Sequence, residues 1–92
     1  MPQSSELNKF NLETPATYRI RVQGSIDTAW AGLLDGMRIA TDTPTGKATV
    51  TTLVGRLEDQ AALFGVLKAL YDLRLPLMSV ENLGEKDEEL FV

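Results

Sequence analysis

The sequence predicts an α+β domain with the ferredoxin-like βαββαβ plait: a four-stranded antiparallel sheet with two helices on one face. Two observations support this. Segments that alternate apolar and polar residues are interleaved with segments whose apolar residues recur at helical spacing. Their order along the chain is strand, helix, strand, strand, helix, strand, and right-handed crossovers then lead to the plait.

The first strand is predicted over residues 17–23, where apolar and polar side chains alternate. Its apolar face consists of Tyr18, Ile20 and Val22. Its polar face consists of Arg19, Arg21 and Gln23. This alternation is typical of a half-buried strand, and Gly24 ends it.

A short helix is predicted over residues 28–34, with Ser25 or Asp27 as its N-cap. Its apolar stripe consists of Trp30, Leu33 and Leu34. We expect this stripe to face the core. After Asp35 and Gly36, residues 37–41 form the second alternating strand.

A hairpin loop over residues 42–46 leads to the third strand, residues 47–56. Its register is ambiguous, because valine and threonine occur on both faces. Placing Leu53 in the core lets Leu57 follow it. The same choice puts Val50 and Val54 on the outer face.

The second helix is predicted from Glu58 or Asp59 to about residue 73, since apolar residues recur there every three or four positions. Those residues are Leu63, Val66, Leu67, Leu70 and Leu73. Pro76 ends the helix, because a residue before proline is pushed out of helical geometry. Residues 77–83 form the fourth strand.

Around this single domain, residues 17–83, we expect a flexible N-terminal arm (1–16) and a flexible acidic tail (84–92). The net charge of −4 resides in these ends, because residues 17–83 hold seven basic and seven acidic side chains. A domain whose net charge is zero argues against nucleic acid as a partner. With no apolar run of ~20 residues and no signal-peptide pattern, we expect no membrane association and a cytoplasmic location.

The chain contains no cysteine, which removes thiolate nucleophiles and zinc clusters, and no histidine, which removes the commonest general base and the commonest transition-metal ligand. Its glycines form no phosphate-binding loop. Glu58 and Asp59 are better explained as helix caps than as an acid–base pair, and Asp42 as a turn residue. We therefore expect no catalytic residue, no metal and no cofactor, and a protein that is not an enzyme.

The face of the sheet that the helices leave uncovered is the predicted interaction surface. Its residues are Arg19, Arg21, Arg38, Ala40, Val50 and Val54, with Arg56 as a further candidate. RNA platforms need exposed aromatic rings, but Tyr18 and Trp30 are expected in the core. Arginine around a small apolar patch is typical of protein interfaces. We therefore predict a homodimer or a larger protein partner, with Phe64 and the apolar end of the tail as possible contacts.

This chain resembles a group of short uncharacterised bacterial proteins in the segments 18–24, 59–63 and 75–77 and at Trp30, Asp35-Gly36, Gly65, Leu67, Asp72-Leu73 and Ser79-Val80. The resemblance covers about residues 17–83, and it implies a shared fold and no activity. Members of that group often have histidine where this chain has Phe64. Any chemistry at that position would be missing here.

A looser similarity is to ACT domains, which share the strand and helix order and bind small effectors at subunit interfaces. It implies an alternative function, the sensing of a small metabolite at a dimer interface. The ligand would then lie near Gly24, Ser25 and Asp27. A likeness of fold alone says little about function.

Overall fold

A computed structural model describes residues 12–84 of the chain. Within them the elements follow the predicted order: strand β1 (Ala16–Gln23), 3-10 helix η1 (Thr28–Leu34), β2 (Arg38–Asp42), β3 (Val50–Leu57), α-helix α1 (Gln60–Asp72) and β4 (Leu77–Asn82). Most of the predicted arm, residues 1–11, and nearly all of the predicted tail, residues 85–92, lie outside the described residues.

The four strands form one open sheet in the order β2-β3-β1-β4. Each neighbouring pair is antiparallel. The central pair is β1 and β3, while β2 and β4 are the edges. The chain is therefore a mixed α+β fold with a four-stranded antiparallel sheet and, within residues 12–84, one α-helix.

The register of β3 confirms the placement of its leucines. Leu53 lies opposite Ile20 of β1, and Leu57 lies opposite Ala16. All four side chains are buried in one apolar cluster. Arg19 pairs with Val54 on the other face of the sheet, so Val54 points away from this core.

Helix α1 closes the core from one side of the sheet. Asp59 caps its N-terminus, and the Asp59 Oδ1 accepts the N–H of Ala62 at 2.8 Å. Leu63, Val66 and Leu70 are buried against the sheet. The helix ends at its C-cap Leu73, ahead of Pro76, as predicted.

The first predicted helix is a 3-10 helix, and this corrects the expected position of Trp30. Three residues per turn bring Trp30 and Leu33 onto the same line, about a third of a turn away from Leu34. Leu34 is fully buried, whereas Trp30 is 46% and Leu33 55% exposed. An α-helical period would have put all three side chains in the core, so the tighter period explains the error.

Candidate interaction surfaces

The outer face of the sheet brings together the six residues predicted as an interface. Residues that pair across strands share a face. From β2 to β4, the first row contains Arg38, Val54, Arg19 and Glu81, and the second Ala40, Thr52, Arg21 and Ser79. The same face contains a third row, Asp42, Val50 and Gln23. It also contains one further pair, Arg56 and Thr17. We call this surface the arginine face, after Arg19, Arg21, Arg38 and Arg56.

The centre of the arginine face is not the exposed apolar patch that we expected. Val54 has Arg19 and Arg38 directly opposite on its two neighbouring strands, and it is only 1% exposed. Val50 is half-buried and Ala40 is exposed. Long arginine stems cover apolar surface while their charged heads stay in water. The face therefore presents guanidinium groups more than valine.

An ion pair joins β1 and β4 at one side of the arginine face. Arg19 Nε donates a hydrogen bond to Glu81 Oε1 at 2.7 Å. The hydrogen bond, supported by Coulomb attraction and opposed by desolvation, lowers the pKa of Glu81 from its ordinary value and raises that of Arg19. Arg21 adds a smaller attraction that also lowers the pKa of Glu81.

The predicted ligand loop begins at Gly24, whose backbone groups bond within the chain. Gly24 has a φ of +110°. Its N–H donates to the carbonyl of Thr49 at 2.8 Å, and its carbonyl accepts the hydroxyl of Thr51 at 2.5 Å. A Cβ at this position would come within 2.9 Å of Leu75 Cδ2. The glycine is therefore required by the turn after β1.

The other two residues of that loop differ in their surroundings. Asp27 is the N-cap of η1, and its Oδ1 accepts the N–H of Ala29 at 2.9 Å. Ser25 is exposed beside it. Gly24 and Asp27 thus have structural roles that account for their presence in this loop.

The edge strand β4 exposes a row of apolar side chains that we did not predict as a surface. Leu77 is 54%, Met78 53% and Val80 38% exposed. A register shift falls between the pairs Arg21–Ser79 and Val22–Leu77, so Met78 is the extra residue of a bulge. The opposite edge, β2, is shorter and has charged residues at both ends, Arg38 and Asp42.

The backbone of β4 is aligned for a further strand. Leu83 N–H donates to the carbonyl of Thr17, so this N–H points towards β1. In an antiparallel ladder the direction alternates along the strand. The backbone N–H and carbonyl of Glu81 therefore also point towards β1, whereas those of Val80 and Asn82 point away from the sheet. Among residues 12–84, β4 is the last strand of the sheet on this side.

A shallow groove of about 400 Å³ runs between η1 and α1. Trp30 and Leu33 form one wall, and Gly65 lies on the helix opposite them. Further along α1, the groove is lined by Lys68, Ala69, Asp72 and Leu73. Lys68 Nζ contacts Asp72 Oδ2 at 2.9 Å, one helical turn apart. Apart from this ion pair, the groove is mostly apolar.

A second depression, of about 370 Å³, lies at the N-terminal end of α1. Leu12 and Phe64, both more than 60% exposed, line it together with the capping residue Asp59. Leu12 is tied to the helix start, because its carbonyl accepts the N–H of Gln60 at 2.8 Å. Phe64, predicted as a contact residue, is thus an exposed side chain at the margin of the helix.

In the part of the chain that the structure describes, no three acidic side chains come together as a possible metal site. No helix within residues 12–84 has the length and hydropathy needed to cross a membrane.

A family model described as a domain of unknown function, DUF8691, matches residues 17–81. The chain belongs to this family. The match extends from the second residue of β1 almost to the end of β4, so the DUF8691 region contains the whole arginine face. Comparisons with curated proteins and with solved structures found no match.

Proposed function

We propose that this member of DUF8691 is a non-catalytic assembly module that pairs with a second copy of itself along β4. The observation that carries the proposal is the contrast between the two edges of the sheet. β4 exposes three large apolar side chains, whereas charged residues flank the shorter β2. Proteins usually protect an edge strand with charge, shortness or a bulge, and β4 has only its bulge and Glu81.

A second copy suits this edge because antiparallel pairing about a two-fold axis makes it self-complementary. With the axis at Val80, the two Val80 side chains would meet on the inner face. The outward backbone groups of Val80 would then bond to those of the second copy. A β-strand added in this way gains both main-chain hydrogen bonds and side-chain contacts.

The charges of the outer face support the same arrangement. About that axis, Glu81 of one copy would lie opposite Ser79 of the other. Since Ser79 pairs with Arg21, the Glu81 carboxylate would enter a row that contains an arginine. Ser79 Oγ is buried and has no hydrogen-bond partner among the described residues, so the row also holds an unused polar atom.

The strand order and directions support a finer fold assignment, the ferredoxin-like plait. The sheet order β2-β3-β1-β4 with all neighbours antiparallel is what two right-handed split βαβ units produce. In this chain the first crossover would use η1 in place of an α-helix.

A metabolite-sensing role is the alternative, with a ligand near Gly24, Ser25 and Asp27. It has less support, because the hydrogen bonds of Gly24 and Asp27 lie within the chain. A metabolite that raises the melting temperature at low concentration would favour it, since a ligand at 100 times its Kd adds about 2.7 kcal/mol.

The assembly proposal is tested by light scattering on the full chain and on two variants. Val80→Lys puts a charge on the inner face of β4, and the matched control Ala40→Lys puts one on the exposed edge strand β2. We expect the wild type and Ala40→Lys to have twice the mass of one chain, and Val80→Lys the mass of one. Circular dichroism checks that both variants are folded.

Three results would overturn the proposal. The first is a wild type that stays monomeric as the concentration is raised, and the second is a Val80→Lys variant that still dimerises. The third is a dimer that is lost only in Ala40→Lys. Ala40 lies on the arginine face, so that result would place the interface on the arginine face and not on β4.

A further inference from the structure

Helix α1 has three sides of different character. Its buried side faces the sheet with Leu63, Val66 and Leu70. A second side faces η1 and lines the shallow groove there, and it holds the ion pair of Lys68 and Asp72. The third side points away from η1, and we call it the aromatic side of α1. By the 3.6-residue period of the helix, its members are Gln60, Phe64, Leu67 and Tyr71.

The aromatic side of α1 faces the β4 edge of the sheet. Residues 35–37 link η1 to β2, and residues 73–76 link α1 to β4. Since β2 and β4 are the opposite edges of the sheet, η1 lies towards one edge and α1 towards the other. The side of α1 that points away from η1 is therefore next to the inner face of β4, where Val80 is exposed.

The composition of this side is that of the centre of a protein interface. Phe64 is 61% and Tyr71 72% exposed, and the half-buried Leu67 lies between them. The two charged residues of α1, Lys68 and Asp72, lie on the groove side and contact each other. Interface centres are depleted of charged residues and enriched in tyrosine and phenylalanine.

Strand β4 alone is too small to hold two copies of the chain together. It has six residues, whereas a stable interface uses about 20–30 residues on each side. In an antiparallel pair about Val80, both α1 helices lie on the same face of the joined sheet, one on each side of the axis. Resting on the assembly proposed above, we propose that the aromatic sides of the two α1 helices pack on each other across this axis.

The position of Leu67 along α1 is level with Val80. The helix runs opposite to β4, because a short link joins the end of α1 to the start of β4. Val80 lies about 10 Å along the strand from Leu77. The same distance back from the C-cap Leu73 is about seven residues of helix, which reaches Leu67. Leu67 therefore lies near the two-fold axis and would meet Leu67 of the second copy.

The same symmetry pairs Phe64 of one copy with Tyr71 of the other. The two helices are antiparallel across the axis, so a residue that precedes Leu67 faces one that follows it. Phe64 and Tyr71 are on opposite sides of Leu67 along α1, each about 5–6 Å from it. Each dimer would hold two such contacts, and aromatic rings at about 4.5–7 Å attract each other beyond the area they bury.

Sedimentation equilibrium on the full chain tests this pairing through Phe64→Lys and Tyr71→Glu, made singly and together. Each single variant sets a charge against an aromatic ring of the second copy and should raise the dimer Kd about tenfold or more. The combined variant sets opposite charges against each other and should restore the Kd to within a few-fold of wild type. Side chains that meet on one helix are three or four residues apart, so this restoration reports contact between copies.

Gly65→Lys is the matched control, because it adds the same charge on the groove side of α1, where a side chain has open space. It should leave the dimer Kd unchanged, and circular dichroism checks that every variant is folded. Single variants that weaken the dimer without restoration in the combined variant would overturn the pairing of Phe64 with Tyr71.

Two further outcomes separate this proposal from the assembly proposal. If Val80→Lys is monomeric while Phe64→Lys and Tyr71→Glu keep the wild-type Kd, the contact between helices is wrong and the pairing of β4 stands. If the wild type is monomeric at every concentration, both proposals are wrong.

Discussion

Gly55 of β3 and Met37, the residue before β2, approach so closely that a side chain at position 55 would meet the methionine. A Cβ built on Gly55 would lie 2.9 Å from Met37 Cγ and 3.0 Å from its Cα. Gly55 also pairs with the buried Tyr18 on the core face of β1. The absence of a side chain at this point allows the loop after η1 to pack on the centre of the sheet.

Gly55→Ala is therefore expected to lower the free energy of unfolding by about 1–3 kcal/mol, the usual cost of overpacking a tight core. Gly65→Ala is the matched control, because it adds the same methyl group to an open site in α1. There, alanine in place of glycine should stabilise the helix by up to about 1 kcal/mol. Urea unfolding measures both, and effects of the same sign would contradict the close approach at Met37.

The 3-10 geometry of η1 predicts opposite roles for two adjacent leucines. Leu34 is fully buried, so Leu34→Ala should cost about 2–5 kcal/mol of stability. Leu33 is 55% exposed, and Leu33→Ala should change stability by no more than about 0.5 kcal/mol. Thermal or urea unfolding measures the stability of both variants. Similar losses in both variants would show that η1 buries both leucines, as an α-helix would.

The hydroxyl of Thr51 is expected to hold the turn after β1. It is fully buried, it donates to the carbonyl of Gly24 and it lies 3.2 Å from the hydroxyl of Thr41. Thr51→Val keeps the shape and leaves that carbonyl without the hydroxyl, which should cost about 1–3 kcal/mol. Thr43→Val, at an exposed threonine, is the control and should be nearly neutral. A neutral Thr51→Val would show that the turn does not depend on this bond.

The ion pair between Arg19 and Glu81 predicts a pH-dependent contribution to stability. The folded state lowers the pKa of Glu81, so the contribution is present above the ordinary pKa of about 4.3. It is lost as the pH falls through the lowered value. Glu81→Gln should thus be less stable than wild type at neutral pH, with a gap that closes in acid and in high salt. Glu58→Gln is the control, and a gap that persists in acid would contradict the ion pair.

The alternation of residues along single strands was sufficient to predict the sheet and much of its outer face. Arg19 and Arg21 were assigned to that face from β1 alone, and placing Leu53 in the core put Val54 there as well. The burial of Val54 was not predictable in this way. It depends on which strands flank β3, and thus on the arginines opposite Val54 in the folded sheet.

Two surfaces were missed for reasons of geometry. The exposure of Trp30 follows from the period of η1, and three apolar residues in a segment of only seven do not distinguish a 3-10 period from an α-helical one. The exposure of Val80 follows from the position of β4 at the edge of the sheet, which depends on tertiary strand order. A sequence signal was present in β4, where Leu77, Met78 and Val80 put apolar residues on both sides of the strand.

The hydrogen bonds of Thr17 with Leu83 and Gly84 also determine how the sheet responds to mechanical force. They put the start of β1 and the end of β4 side by side on antiparallel strands. A pull between these two ends therefore loads the hydrogen bonds of the β1–β4 pair one after another, as in opening a zipper. Such a pair yields at lower force than strands sheared along their length. Under tension β4 would peel away first, while β1, β3 and β2 remain paired.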